Sequence, residues 1–306
     1  MKKLISCILA ASALATAAGC SEPPLYRQKQ VMMGTFVEVT SPDRRAAEIV
    51  FAEIKRIERI LSKYDPASEV SRLNKNKEVK AGPELLYVLE RSRYFWRATD
   101  GAFDVTVAPL VDLWGFTDRD FREPSKKEIQ KALAAVGMKK IIFKTGNPVV
   151  KFMLPETKID LGAIAKGYAV DCAVAQLKKQ GVTSCLINAG GDIYCLGVKS
   201  GTPWQVAIQD PGKKGFQGQL ALSDKAVATS GDYEQFFSVG GKRYSHILNP
   251  RTGYPVQARV ASVTIVADDC LTADALATAA MVLGKKKTEK LLKGFAGVTA
   301  TIIEHE

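Results

Sequence analysis

The chain carries only two histidines in 306 residues, so chemistry that needs a base titrating near neutral pH has few side chains to use. His246 opens the stretch "HILNPRTGYP" (246–255), between apolar residues and a turn-rich Asn-Pro-Arg-Thr-Gly. His305 is the penultimate residue, in what reads as a frayed tail, which leaves His246 as the candidate base. Its alternative reading is a packed strand residue. In "TADALAT", Asp274 and Thr278 stand four apart and share one face of a helix, with Ala277 leaving room beside them. A carboxylate plus a hydroxyl is hard-oxygen ligation of the kind Mg²⁺ takes, although the same pair equally suits a helix cap and a bond back to a carbonyl. "IDLGAIAKGYAVD" sets Asp160 before a glycine at a strand-to-helix turn and Lys166 one turn into the helix. Free amides, the helix dipole and an ammonium make a phosphate site there; turn glycines with a solvated lysine are the plain alternative. "GAFDVTVAPL", with Asp104 between apolar neighbours, "NAGGDIY" and "ATSGDY" add glycine-rich polar turns typical of ligand sites.

These groups need elements to position them. Residues 31–40 read as a β-branched strand interrupted at Met33-Gly34-Thr35. Apolar residues at three- and four-residue steps predict helices over 47–61 and 83–99, and Ser125 with Glu128 forms a capping box for a third, closed by Gly137. A fourth helix is expected over 162–181. The pattern then turns to short strands at 184–188, 193–196, 204–209, 226–229, 243–248 and 260–266, followed by helices over 272–283 and through Lys290, and a last strand at 298–303. No repeat, low-complexity tract or long linker divides the chain. The expectation is one α+β domain, its helical N-terminal part laid against a mainly antiparallel sheet.

The N-terminus stands apart from that domain. Met1-Lys2-Lys3 is a basic start, 4–18 is an apolar run too short to span a bilayer, and Ala17-Ala18-Gly19-Cys20 is a small-residue cleavage site. The arrangement resembles a bacterial lipobox, which implies a signal peptide over 1–19, acylation of Cys20, a tether over 20–30 beginning Ser21-Glu22-Pro23-Pro24, and the working domain over 31–306. An ordinary secretory signal cut nearby is the alternative, and either implies export. Cys172, Cys185, Cys195 and Cys270 lack CxxC spacing, which argues against a metal cluster or thioredoxin-type site. Buried free thiols are expected for them rather than a Cys185–Cys195 bridge across neighbouring strands. The net charge of +11 suits anionic headgroups or a polyanionic ligand. Its basic residues are scattered without an aromatic platform, which argues against nucleic acid.

In order along the chain, "MGT", "SKYDPASEVSRLN", "GAFDVTVAPL…LWGF", "IDLGAIAKGYAVD", "INAGGD", "ATSGDYE", "HILNPRTGYP" and "ADALATA" resemble the blocks of the ApbE-type FAD:protein FMN transferases, over nearly all of the chain beyond the leader. The resemblance implies a single unit of ApbE-like (T-fold-like) architecture with FAD in a cleft between sheet and helices. It implies a lipid-anchored enzyme on the periplasmic side of a bacterial membrane that uses Mg²⁺ to move the FMN half of FAD onto a threonine or serine of a partner protein, releasing AMP. FAD contacts are implied at Met33, Tyr64, Ala102, Phe103, Asp104, Asp160, Lys166 and Ile247. Metal contacts are implied at the carbonyls of Ala163 and Ala277 and the side chains of Asp274 and Thr278. His246 would take the proton of the acceptor hydroxyl, with Lys166 and Mg²⁺ offsetting charge on the leaving AMP. The implied partners are acceptor subunits of flavin-dependent, ion-translocating membrane redox complexes with an Asp-x-x-(Ser/Gly)-Gly-Ala-(Thr/Ser) stretch. The alternatives are an FAD pyrophosphatase, with water as acceptor, and a flavin-binding lipoprotein without chemistry, which has no need of a metal beside a base. A solute-binding lipoprotein is disfavoured by the absence of two similar lobes.

Overall fold

The computed structural model describes residues 24–144, 146–211, 215–256 and 260–305; Cys20 and the leader lie outside them. β1 (Tyr26–Met32) and β2 (Thr35–Ser41) pair as a hairpin. The interrupted strand expected over 31–40 is therefore a chain reversal: Met33 and Gly34 adopt φ of 51° and 73°, as a two-residue turn between twisted antiparallel strands requires. Pairing begins at Tyr26, so residues 26–30, assigned from the sequence to the tether, are strand.

α1 (Ala46–Leu61) buries Val50, Phe51, Ile54, Ile57 and Leu61 along one stripe. α2 (Glu69–Asn76) begins where the Ser68 hydroxyl accepts from the Ser71 amide; it went unpredicted because only Val70 and Leu73 mark its buried side. β3 (Glu78–Lys80) and α3 (Pro83–Ala98) follow, then a 3₁₀ turn at Val105–Val107 that runs into α4 (Ala108–Leu113). α5 (Lys126–Leu133) has the expected capping box. β4 (Ile141–Lys144) and β5 (Asn147–Phe152) make a small sheet with β3. Then come α6 (Ala165–Lys179), β6 (Cys185–Ala189), β7 (Asp192–Leu196), β8 (Trp204–Gln209), β9 (Phe216–Leu222), β10 (Lys225–Gly231), β11 (Phe236–Val239), β12 (Lys242–Ser245), β13 (Val260–Ala267), α7 (Cys270–Leu283), α8 (Lys285–Leu292) and β14 (Thr299–Glu304).

The main sheet has seven strands in the order β1-β2-β6-β7-β10-β13-β14, every pair antiparallel. α7 is apolar and buried on nearly all sides, because it contacts β10 and β13 beneath it and α6 beside it. The two helices cross at Gly167, where a Cβ would stand 2.4 Å from the Cys270 carbonyl oxygen. Alternation along β6 and β7 sends Cys185, Ile187, Tyr194 and Leu196 into the core on the helical face, while Leu186, Ile193 and Cys195 meet Trp204 and Val206 of β8 on the other. Cys185 lies opposite Leu196, and Cys195 opposite Leu186, so the two thiols point to opposite faces. All four described cysteines are free.

A second, smaller core joins Leu110, Trp114, Ile129, Val136, Phe237, Tyr244 and Leu248. It anchors the segment after β12. The Trp114 indole donates to the Gly253 carbonyl at 2.8 Å, and Gly253, at φ 75°, sits where a Cβ would meet Ile129 at 2.5 Å. The strand expected over 243–248 stops at Ser245, and His246 occupies the bend that follows, so it is no strand residue.

Candidate active site

Three segments converge at the N-terminal end of α6. Lys166, in its first turn, sets its Nζ 2.8 Å from Asp192 Oδ2 and 3.5 Å from Asp274 Oδ2. Asp192 comes from the start of β7, just past the Gly190-Gly191 turn that joins it to β6. Asp274 comes from the second turn of α7 and also accepts from the Gly167 amide at 3.2 Å. The two carboxylates are 2% and 3% exposed, so water does little to stabilise their charge. Burial raises both carboxyl pKa values, with Lys166 opposing, and Glu234 is pushed up to about 7 by burial with Asp274 adding to the rise. The Lys166 pKa is raised as well: burial works against its charge, but Asp192 and Asp274 outweigh it and hold the ammonium protonated. Two buried carboxyl groups thus share one ammonium at this spot.

Thr278 lies one turn beyond Asp274 and is half-buried, while Ala277 beside it is fully buried. Its hydroxyl is 3.3 Å from Ser230 Oγ at the end of β10. The half-buried Ala163 precedes α6. The sequence pair Asp274 and Thr278 thus shares the α7 face that looks toward Lys166.

A second group borders the first. Lys63 and Asp160 form an ion pair at 2.8 Å, and the Lys63 ammonium lies 5.0 Å from the centre of the exposed Tyr64 ring. The Asp160 amide donates to the Val105 carbonyl, which ties this pair to the Ala102-Phe103-Asp104 stretch. Ala102, Phe103 and Asp104 are buried. Asp104 accepts from the amide and hydroxyl of Thr106, and burial raises its pKa despite those bonds. Met33, at the β1–β2 turn, donates its amide to Glu58 at 2.7 Å.

His246 is half-buried with Nδ1 3.0 Å from the Gln235 carbonyl oxygen. A carbonyl only accepts, so Nδ1 carries the proton and Nε2 is the basic nitrogen. Burial lowers the imidazole pKa; the Gln235 carbonyl and Asp160 work upward and Lys166 downward. The ring is therefore a neutral base at neutral pH, within the field of both charged groups. Ile247, the next residue, is buried in the main core.

Spacing alone pointed to Lys166, Asp274, Thr278 and His246, but it missed Asp192, Glu234 and Lys63, although each sits in a quoted motif. Asp192 was the detectable one, being the single charge in a glycine turn between two apolar strands. His305 is no loose tail residue: its Nε2 lies 2.8 Å from Asp232 Oδ2.

Comparison with known proteins fits this arrangement. The ApbE family model matches residues 33–302. The chain belongs to the ApbE family. The FAD:protein FMN transferase of Haemophilus influenzae is 35% identical over 308 residues, covering 94% of this chain and 89% of that protein. The enzyme of the same name from Vibrio cholerae is 35% identical over 296 residues, covering 92% and 88%. Among solved structures, the ApbE protein of Thermotoga maritima superposes with a TM-score of 0.85 at 36% identity, over 92% of this chain and 97% of that one. The apo flavinyl transferase ApbE of Pseudomonas stutzeri gives 0.83 at 31%, over 94% and 93%. The single α+β unit with a mainly antiparallel sheet is thus the ApbE fold.

Proposed function

We propose that this chain is an FAD:protein FMN transferase, moving the FMN half of FAD onto a threonine or serine hydroxyl of a partner protein and releasing AMP. The observation that carries the reading is a half-buried imidazole, fixed through Nδ1 by the Gln235 carbonyl and acted on electrostatically by Lys166 of the lysine–carboxylate cluster, on a chain of this family. Transfer to a hydroxyl needs a base for the hydroxyl proton and positive charge for the diphosphate. His246 Nε2 takes the proton, and its Nδ1–H stays on Gln235 throughout, which fixes tautomer and ring orientation. Lys166, at the opening of α6, holds a phosphate oxygen near the positive end of the helix. Met33, Tyr64, the Ala102-Phe103-Asp104 stretch, Asp160 and Ile247 are assigned to FAD. Asp104 and Ile247 are buried before any ligand arrives, so their part is to shape the wall of the cleft.

The donor set fits a hard divalent cation. Asp274 and Thr278 supply oxygen, as do the carbonyls of Ala163 and Ala277. An all-oxygen donor set suits Mg²⁺ better than a thiolate- or imidazole-seeking metal. When bound, Mg²⁺ neutralises diphosphate charge. Acylation of Cys20 places the enzyme on the periplasmic side of a bacterial membrane, where the acceptors are flavin-carrying subunits of ion-translocating redox complexes. The test is AMP release from FAD in the presence of an acceptor and of its Thr→Ala variant. Transfer requires release with the first and none with the second, whereas equal release from both identifies an FAD pyrophosphatase.

A further inference from the structure

Lys166 has two carboxylate neighbours, and they differ in what holds them. Asp192 is the first residue of β7, opposite Ala189 in the β6–β7 ladder. The turn before it is held by the Gly191 amide donating to Asn188 Oδ1 at 2.9 Å, and a Cβ on Gly190 would stand 2.3 Å from Thr35 Oγ1. Asp192 is therefore pinned, and its Oδ2 lies 2.8 Å from Lys166 Nζ. Asp274 is the looser neighbour of the lysine at 3.5 Å, and both its contacts, with Lys166 and the Gly167 amide, fall on Oδ2. Its Oδ1 lies outside those two contacts.

We propose that Asp192 is a positioning residue that keeps Lys166 from capturing Asp274. By holding the ammonium, it leaves the Asp274 carboxylate available to a divalent cation, so that ammonium and cation occupy the same site without competing for one oxygen. The assignment rests on the cation reading given above. Without Asp192, Asp274 is the carboxylate left within ion-pair distance of the half-buried Lys166 among the described residues, and the ammonium closes on it, because an ammonium largely removed from water is costly to leave unpaired. The cation then has to displace a lysine.

The test measures Mg²⁺ binding to the FAD-free full chain by thermal shift over an Mg²⁺ titration. Asp192→Asn keeps the side chain's shape and is expected to weaken apparent Mg²⁺ affinity about tenfold or more, a shift of the size that loss of one charge contact produces. The double variant Asp192→Asn/Lys166→Met removes the competitor with its partner and is expected to recover Mg²⁺ affinity to near or above that of the native chain, although FAD binding is weakened. A merely structural role for Asp192 gives no such recovery. Native Mg²⁺ affinity in Asp192→Asn overturns the proposal, as does failure of the double variant to recover. A native chain whose melting ignores Mg²⁺ removes the cation reading itself, and this inference with it. Transferase activity is measured separately, so each outcome stands apart from the identity of the acceptor.

Discussion

Replacing His246 with alanine tests the base directly. The imidazole sits on a bend held by the second core, through Leu248 and the Trp114–Gly253 bond, and its own side chain makes one hydrogen bond, to the Gln235 carbonyl. The substitution therefore leaves Lys166, Asp192 and Asp274 in place, and FAD binding is expected to stay within about threefold of native, about 0.7 kcal/mol or less by the usual conversion. Turnover is another matter. A positioned general base contributes typically 10²–10⁴-fold, so the variant loses roughly 3–5 kcal/mol of transition-state stabilisation. The pH profile separates this from a packing defect. Burial and the Lys166 field depress the imidazole pKa, so the native rate falls only as pH drops through a value below the usual ~6.5. That acid limb must vanish in His246→Ala. Stopped-flow or discontinuous AMP assays from pH 5 to 9, at saturating FAD and acceptor, read both quantities. A near-native rate in the variant, or an unchanged acid limb, refutes the assignment and moves the base to a carboxylate such as Glu234.

Asp274→Ala is expected to lose about 10²-fold or more in turnover, with FAD affinity changed far less, and a chelator should reproduce that loss in the native enzyme; full activity in excess chelator removes the metal from the mechanism. Gly167→Ala puts a methyl 2.4 Å from the Cys270 carbonyl oxygen, which must push α6 and α7 apart. Overpacking of this kind costs about 1–3 kcal/mol, seen as a lower Tm; an unchanged Tm contradicts the crossing described. Cys20→Ser should leave an uncut precursor or a soluble product, and a variant that still partitions with membranes and migrates as native sinks the lipobox reading.

Much of the site was legible because its chemistry is local. Asp274 and Thr278 share a helix face, Lys166 follows a glycine turn by a few residues, and His246 is nearly the sole imidazole. The α+β class was legible for a similar reason, since α1 and α3 keep a helical period and the central strands are β-branched and short. Non-local features were not. Lys166 and Asp192 meet because β7 starts beside α6, which no spacing announces. Whether Cys185 and Cys195 could bridge depended on a one-residue register across β6–β7. The β1–β2 reversal at Met33-Gly34 was hidden because a glycine within a β-branched run reads equally as a bulge. β9 and β11 are marginal by burial, with one or no buried residue between them in each strand, so alternation was too weak to mark them. The docking of His305 on Asp232 pairs residues 73 positions apart, which sequence patterning cannot show.

Intact-mass spectrometry of the acceptor tests the central claim most directly. The full chain is incubated with FAD, Mg²⁺ and a candidate acceptor subunit, and with the acceptor whose target threonine is replaced by alanine. The account predicts that the native acceptor gains the mass of one FMN less one water, as esterification through phosphate requires, with one AMP released per acceptor, and that the alanine acceptor gains nothing. FAD split to FMN and AMP while the native acceptor keeps its original mass would contradict it.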